Sequence, residues 1–99
     1  TLMNDVCVLV MSEFGRAADE NGPLGTADAK GGVAFCVGGA VQGIWPGVGP
    51  IDLENGSFLP PVNDYRDVIM EVLIGHLGIS VADAEATFDG FTHTPLGLF

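Results

Sequence analysis

The sequence Val6-Cys7-Val8-Leu9-Val10-Met11-Ser12-Glu13-Phe14-Gly15-Arg16 decides the fold predicted for this chain. Its first six residues are apolar and rich in β-branched side chains, and a polar turn follows them at once. A short apolar run of this kind is typical of a strand buried on both faces in the middle of a parallel sheet. We therefore predict an α/β fold in which a mostly parallel sheet is accompanied by two helices in the C-terminal part.

Two charged residues, Glu13 and Arg16, come directly after this predicted strand. Open α/β sheets bind their ligands at the carboxyl ends of the strands, so these residues are the first candidates for chemistry. The alternatives to a role of Glu13 in such a site are an ion pair with Arg16 and a carboxylate that accepts hydrogen bonds from the amides of its loop. Arg16 suits the bidentate binding of an anionic ester group. Its alternative is a structural arginine that bonds the carbonyl groups of its own loop.

The composition excludes some classes of function. The 99 residues include 13 acidic and 3 basic side chains, with a formal net charge of −10. This charge repels phosphate backbones and anionic lipid surfaces, so we predict no nucleic-acid partner. The uncharged stretch at residues 31–51 holds seven glycines and two prolines. We predict no membrane span there, because a spanning helix needs a sustained apolar run.

A chain of this size can form at most one small domain, and its few elements leave the predicted sheet incomplete. It offers about three strands and two helices, whereas a parallel strand needs neighbours on both sides and helices on both faces. We therefore expect the chain to be a fragment, with upstream chain or partner subunits supplying the rest of the sheet.

The first half of the chain is predicted to contain strands and loops. Residues 17–32 are predicted to form a long loop that contributes to the site. Residues 33–37 are apolar and are predicted to form a second core strand. Residues 40–45 suit an edge strand or hairpin return before Pro46. Residues 47–61 are predicted to be mostly irregular, with a short strand near Ser57-Phe58-Leu59.

The two cysteines, Cys7 and Cys36, both lie inside strand-like apolar runs. Free thiols of this kind usually pack as small apolar side chains, and we predict that state for both. A disulfide bond is the alternative, and it requires the two strands to be neighbours with suitable geometry.

Two helices are predicted in the second half. The first spans residues 64–77, with Asn63 as its N-cap and Gly78 at its far end. The second begins at residues 80–83, which have the form of a capping box. The apolar end of the chain, residues 92–99, predicts a tail docked on the body. One face of the first helix is predicted to be apolar and consists of Tyr65, Val68, Ile69, Val72, Leu73 and Leu77.

Several short motifs occur in a characteristic order. They are Val-x-Val-Met-Ser-Glu-Phe-Gly-Arg at 8–16, Glu-Asn-Gly at 20–22, Gly-Thr at 25–26, Gly-Gly-x-x-Phe-x-x-Gly-Gly at 31–39, Asp-Tyr-Arg at 64–66, His-Leu-Gly at 76–78 and Pro-Leu-Gly-Leu at 95–98. In this order the chain resembles the family called domain of unknown function 1501, and the resemblance covers nearly the whole chain.

The resemblance implies a fold and an activity. Members of that family look like relatives of the alkaline phosphatase and sulfatase superfamily, which hold metal ions at strand ends and hydrolyse phosphate or sulfate esters. It implies that residues 1–99 are the C-terminal segment of a larger domain whose metal aspartate and nucleophile lie upstream of Thr1. It also implies a small anionic ester as ligand and an exported protein, in the periplasm or outside the cell.

The chain departs from the family pattern in one loop. Where the family reads Gly-Thr-Asp-His-Gly, this chain has Gly25-Thr26-Ala27-Asp28-Ala29, so the aspartate–histidine pair is missing. Asp28 is either a substitute ligand for a divalent ion such as zinc, calcium or magnesium, or a turn-forming aspartate. By resemblance, then, the predicted catalytic residues are Glu13 and Arg16, and the predicted metal ligands are Glu13 and Asp28.

Two functions remain open at this point. The first is a metal-dependent phosphate or sulfate ester hydrolase with a degenerate metal loop, favoured by Glu13 and Arg16. The second is a non-catalytic structural or assembly subunit, favoured by the altered loop around Asp28. His93 in the tail either returns to the site or lies at the surface, and His76 is predicted to be structural.

Overall fold

The computed structural model describes residues 2–12, 15–16, 22, 28–29, 31–43 and 62–99. The elements in chain order are a 3-10 helix (Leu2–Asp5), the strands β1 (Cys7–Val10), β2 (Gly15–Arg16), β3 (Asp28–Ala29) and β4 (Phe35–Gly38), the helix α1 (Tyr65–Glu71), a π-helical segment (Val72–His76) and the helix α2 (Val81–Glu85). The chain divides into two compact units, one of residues 1–8, 36–44 and 63–99 and one of residues 9–35 and 45–62.

The predicted mostly parallel sheet is wrong. The described strands form two separate two-stranded sheets, β1 with β4 and β2 with β3. The pair β2–β3 is antiparallel, with Gly15 opposite Ala29 and Arg16 opposite Asp28. Because each described strand has one hydrogen-bonded neighbour, the described part of the chain contains no interior strand of the predicted kind.

The strand β1 is shielded on one face only, which corrects the prediction that it is buried on both. Cys7 and Leu9 are half-buried, whereas Val8 and Val10 are 50% and 53% exposed. Side chains alternate between the two faces of a strand, so one face of β1 is sheltered and the other meets solvent. A continuous apolar run therefore does not show whether a strand is buried on both faces or on one face only.

The second predicted strand begins two residues later than expected and ends one residue later. The strand β4 covers Phe35–Gly38 rather than residues 33–37, and residues 31–34 have no regular structure. The edge strand predicted at 40–45 is wrong for its described part, residues 40–43. There the Gln42 N–H donates to the carbonyl oxygen of Leu98 at 2.6 Å, so this backbone bonds the C-terminal tail instead of a strand. The predictions for residues 47–61 lie outside the described residues.

The first predicted helix is confirmed in place, but its cap is Asp64 and not Asn63. The carboxylate of Asp64 accepts the backbone N–H of Arg66 at 2.9 Å, and α1 starts at Tyr65. The same carboxylate accepts the Arg66 Nε at 3.0 Å and Nη2 at 2.7 Å. Asp64 therefore satisfies a free amide of the helix start and a guanidinium together, and its hydrogen bonds to the guanidinium are charge-assisted.

The C-terminal part of this helix widens into the π-helical segment Val72–His76. The Leu77 N–H donates to the carbonyl oxygen of Val72 at 3.0 Å, and the chain then turns at Gly78 with φ +69°. The predicted end at Gly78 is thus confirmed. A Cβ atom at Gly75 would lie 2.6 Å from the Cβ of Phe99. Gly75 therefore lets the last residue of the chain pack directly on the helix backbone.

The core of the first unit differs from the predicted apolar face. Met70 and Ala84 are completely buried, while Tyr65 and Leu77, predicted to face the core, are 58% and 60% exposed. The second helix begins as predicted, because Ser80 Oγ accepts the backbone N–H of Asp83 at 3.2 Å. The buried surface of α1 also includes two acidic side chains, which the periodicity of apolar residues does not predict.

Candidate functional site

The predicted site residues Arg16 and Asp28 come together across the β2–β3 pair. Their Cα atoms are register partners in the antiparallel ladder. Opposite positions in such a ladder are separated by about 4.5–5.5 Å between Cα atoms, the shortest spacing that two strands allow. The structure therefore joins two positions that are twelve residues apart in the sequence. The third predicted site residue, Glu13, lies outside the described residues.

The strand pairing also shows that the backbone at Asp28 is extended and does not form a turn. Asp28 belongs to β3 and pairs with β2, so the prediction of a turn-forming aspartate is wrong. A divalent metal site needs several ligands, and no group of three or more His, Cys, Asp or Glu residues suited to one occurs among the described residues. The metal therefore remains a prediction.

A second cluster of charged residues lies in the first unit, where three carboxylates hold the C-terminal tail. Asp67 Oδ1 accepts the Thr94 N–H at 2.7 Å, and Glu85 Oε1 accepts the His93 N–H at 3.3 Å. Glu71 is the third carboxylate, and we call Asp67, Glu71 and Glu85 the carboxylate clamp. Ionised acceptors form hydrogen bonds roughly twice as strong as neutral ones, so the clamp fixes a segment that has no regular structure of its own.

Glu71 is the central member of the clamp. Its Oε1 accepts the N–H groups of both Leu96 and Leu98, at 3.0 and 3.1 Å. Gly97 lies between them with φ +73°, a conformation that L side chains rarely adopt. The left-handed backbone at Gly97 turns two alternate amides toward one oxygen. The predicted docking of the tail is therefore confirmed, and its main polar anchor is a buried glutamate.

His93 is buried beside this glutamate. Its Nε2 lies 3.1 Å from Glu71 Oε2, and its side chain is only 7% exposed, so the prediction of a surface histidine is wrong. The distance is within ion-pair range, yet Nε2 makes no hydrogen bond among the residues that the structure describes. The two groups are close but poorly aligned.

The Asp-Tyr-Arg motif at 64–66 has a structural explanation. The Arg66 guanidinium bonds Asp64 and lies 4.3 Å from the centroid of the Phe91 ring. Arg66 lowers the pKa of the Asp64 carboxyl to about 2 through its side-chain hydrogen bond and its backbone N–H. Phe91 contacts Phe88 edge to face at 6.1 Å. The motif thus caps α1 and braces the chain that follows α2.

The two cysteines meet across the β1–β4 pair. The Sγ atoms of Cys7 and Cys36 are 3.6 Å apart, and both residues are half-buried free thiols, as predicted. Burial and, secondly, the contact with Cys7 raise the pKa of the Cys36 thiol to about 11. At neutral pH Cys36 therefore keeps its proton.

The sequence analysis did not predict the carboxylate clamp. One signal was present, because Asp67 and Glu71 are four residues apart and so share a face of a largely apolar helix. A tail without regular structure leaves backbone N–H groups unpaired, and buried carboxylates are the acceptors that can satisfy them.

Comparison of the chain with protein-family models, with curated proteins and with solved structures finds no match in any of the three. No helix among the described residues is long and apolar enough to cross a membrane.

Proposed function

We propose that this chain is the C-terminal portion of a sulfatase- or alkaline phosphatase-like ester hydrolase, with Arg16 and Asp28 contributing to its anion site. The observation that carries this proposal is their register, because it brings together two of the three residues that the family resemblance singles out. The proposal no longer rests on an interior parallel strand. It rests on the ordered motifs and on this pairing.

The two residue types have complementary roles in such a site. A guanidinium binds two oxygen atoms of a phosphate or sulfate group at once and stays charged at every working pH. A carboxylate in the opposite strand position suits the orientation of that guanidinium or the binding of a hard divalent ion. Glu13, three residues before Arg16, is the proposed second acidic group. Metal dependence is part of this proposal and is a matter for experiment.

Hydrolysis of simple aryl esters tests the proposal. The longest natural form of the protein is assayed with an aryl phosphate and an aryl sulfate, first without metal and then with magnesium, calcium or zinc. The expected result is metal-stimulated hydrolysis that falls at least about 100-fold in Arg16→Ala, since losing one charged contact in a transition state costs this much. Asp89→Asn, a change at an exposed acidic residue, is the matched control and retains activity. Equal rates in wild type and Arg16→Ala would contradict the proposal.

A second function, a structural or assembly subunit, is favoured by a different observation. Val8 and Val37, on the outward faces of β1 and β4, are 50% and 58% exposed, and exposed apolar side chains on a sheet suit contact with another chain. If this function is the right one, sedimentation finds the longest natural form in stable assemblies, and metal analysis finds no tightly bound divalent ion. A monomer that hydrolyses esters would exclude it.

A further inference from the structure

The strands β1 and β4 hold the two thiols of the chain in one place. These strands are hydrogen-bonded neighbours, and the Sγ atoms of Cys7 and Cys36 are 3.6 Å apart although 29 positions separate the residues. A disulfide bond requires the two strands to be neighbours, and the sequence alone did not show whether they are. A disulfide requires a sulfur–sulfur distance of about 2.0 Å, so the sulfur atoms need to approach by roughly 1.5 Å.

Both thiols also lie on the sheltered faces of their strands. Cys7 is half-buried while its neighbour Val8 is exposed, and Cys36 is half-buried while Phe35 and Val37 are exposed. The two sulfur atoms can therefore approach each other by rotation of the side chains, and neither strand needs to exchange its two faces. Because neither cysteine is fully buried, a small disulfide reagent can reach the pair.

We propose that Cys7 and Cys36 form a reversible disulfide bond, which makes this pair a redox-modified site of the chain. The bond closes a loop that contains Glu13, Arg16 and Asp28. The inference does not rest on ester hydrolysis, because it uses only the sulfur positions and the strand pairing.

The oxidant is a small disulfide such as oxidised glutathione, and the exchange balances in two steps. The Cys7 thiolate attacks one sulfur of oxidised glutathione, forms a mixed disulfide and releases one glutathione thiolate, which takes up a proton. Cys36 then loses its proton and attacks the Cys7 sulfur, which releases the second glutathione. Two electrons pass from the protein thiols to the reagent.

Tryptic mapping tests the proposal directly. The three basic residues are Arg16, Lys30 and Arg66, so trypsin places Cys7 and Cys36 in separate peptides, 1–16 and 31–66. The full chain is equilibrated in glutathione buffers of increasing oxidised fraction, quenched with acid, alkylated and digested. The expected product is the 1–16 peptide joined to the 31–66 peptide, with the intact chain lighter by two hydrogens and still of monomer mass. Restoring reduced glutathione separates the peptides.

The same titration in denaturant measures how much the fold raises the effective concentration of the two thiols. We expect the effective concentration of the two thiols to be at least about 100-fold higher in the native chain than in the unfolded chain. Cys7→Ser and Cys36→Ser are the matched controls, and each is expected to take up one glutathione. Equal effective concentrations in the two states would overturn the proposal. Two stable mixed disulfides on the native chain, or disulfides between chains only, would also overturn it.

Discussion

The side chains of Glu71 and His93 lie 3.1 Å apart, from Oε2 to Nε2, and are only 11% and 7% exposed. The other oxygen of Glu71 binds two backbone amides of the C-terminal tail. One glutamate of α1 thus binds two backbone amides of the tail and lies beside His93, and none of these three tail residues belongs to a helix or strand. Taking a carboxylate out of water is costly unless several partners surround it, which explains why this residue has them.

Replacing Glu71 tests how much the clamp stabilises the chain. Glu71→Ala leaves the backbone N–H groups of Leu96 and Leu98 without their acceptor, so we expect a loss of about 3–5 kcal/mol in the free energy of unfolding. Glu71→Gln keeps an acceptor of the same shape but loses its charge, and the expected loss is about 1–2 kcal/mol. Urea unfolding measures both changes.

Hydrogen exchange provides the site-specific readout for these variants. The amides of Leu96 and Leu98 are expected to exchange much faster in Glu71→Ala, since both donate to this carboxylate. Asp83→Asn, at an exposed position of α2, is the control and leaves those two amides protected. Unchanged protection in Glu71→Ala would mean that the clamp does not hold the tail.

The contact between Gly75 and Phe99 gives a second prediction. Alanine is a better helix former than glycine by about 1 kcal/mol, so an exposed Gly75→Ala change would be stabilising on propensity alone. Here the new Cβ would lie 2.6 Å from the Cβ of Phe99, and we expect the change to be destabilising instead. In the double variant with Phe99→Ala the clash is relieved, and thermal unfolding should show a coupling of at least about 0.5 kcal/mol. Additive effects would contradict the contact.

The pKa of Cys36 predicts how stability depends on pH. Burial raises it from 9.0 to about 11, so in this interval the folded chain keeps a proton that the unfolded chain has lost. Stability is therefore unaffected below about pH 9 and falls as the pH rises toward 11. Denaturant unfolding under reducing conditions measures this decline. It should be shallower in Cys36→Ser, and an identical slope would show that the thiol is not shielded by folding.

The sequence predicted the helical half of the chain better than the sheet. Capping chemistry is local, so Ser80 and Gly78 were identified correctly. The error at Asn63 was a single residue, because Asn63 and Asp64 are both good N-caps and the sequence does not choose between neighbours. The sheet depends on contacts between distant residues. The apolar run at Cys7–Val10 is compatible with a strand covered on one face or on both, and its composition alone does not choose between them.

The candidate site was predicted in part. Arg16 and Asp28 were both candidates from the sequence. Their positions opposite each other follow from the strand register, which cannot be deduced from the chemistry of single residues. The clamp was missed for a related reason. Asp67 and Glu71 are buried where the tail docks. The amides that they bind, those of Thr94 and Leu96, lie more than twenty positions away in the sequence.

Phosphate binding at the β2–β3 pair tests the central claim most directly. Calorimetric titration of inorganic phosphate and sulfate is carried out on the longest natural form and on Arg16→Ala, Asp28→Ala and the double variant. The account predicts that Arg16→Ala weakens binding at least about tenfold, or about 1.4 kcal/mol. It also predicts that the two changes are not additive, because the positions are register partners. Unchanged affinity in Arg16→Ala would contradict it.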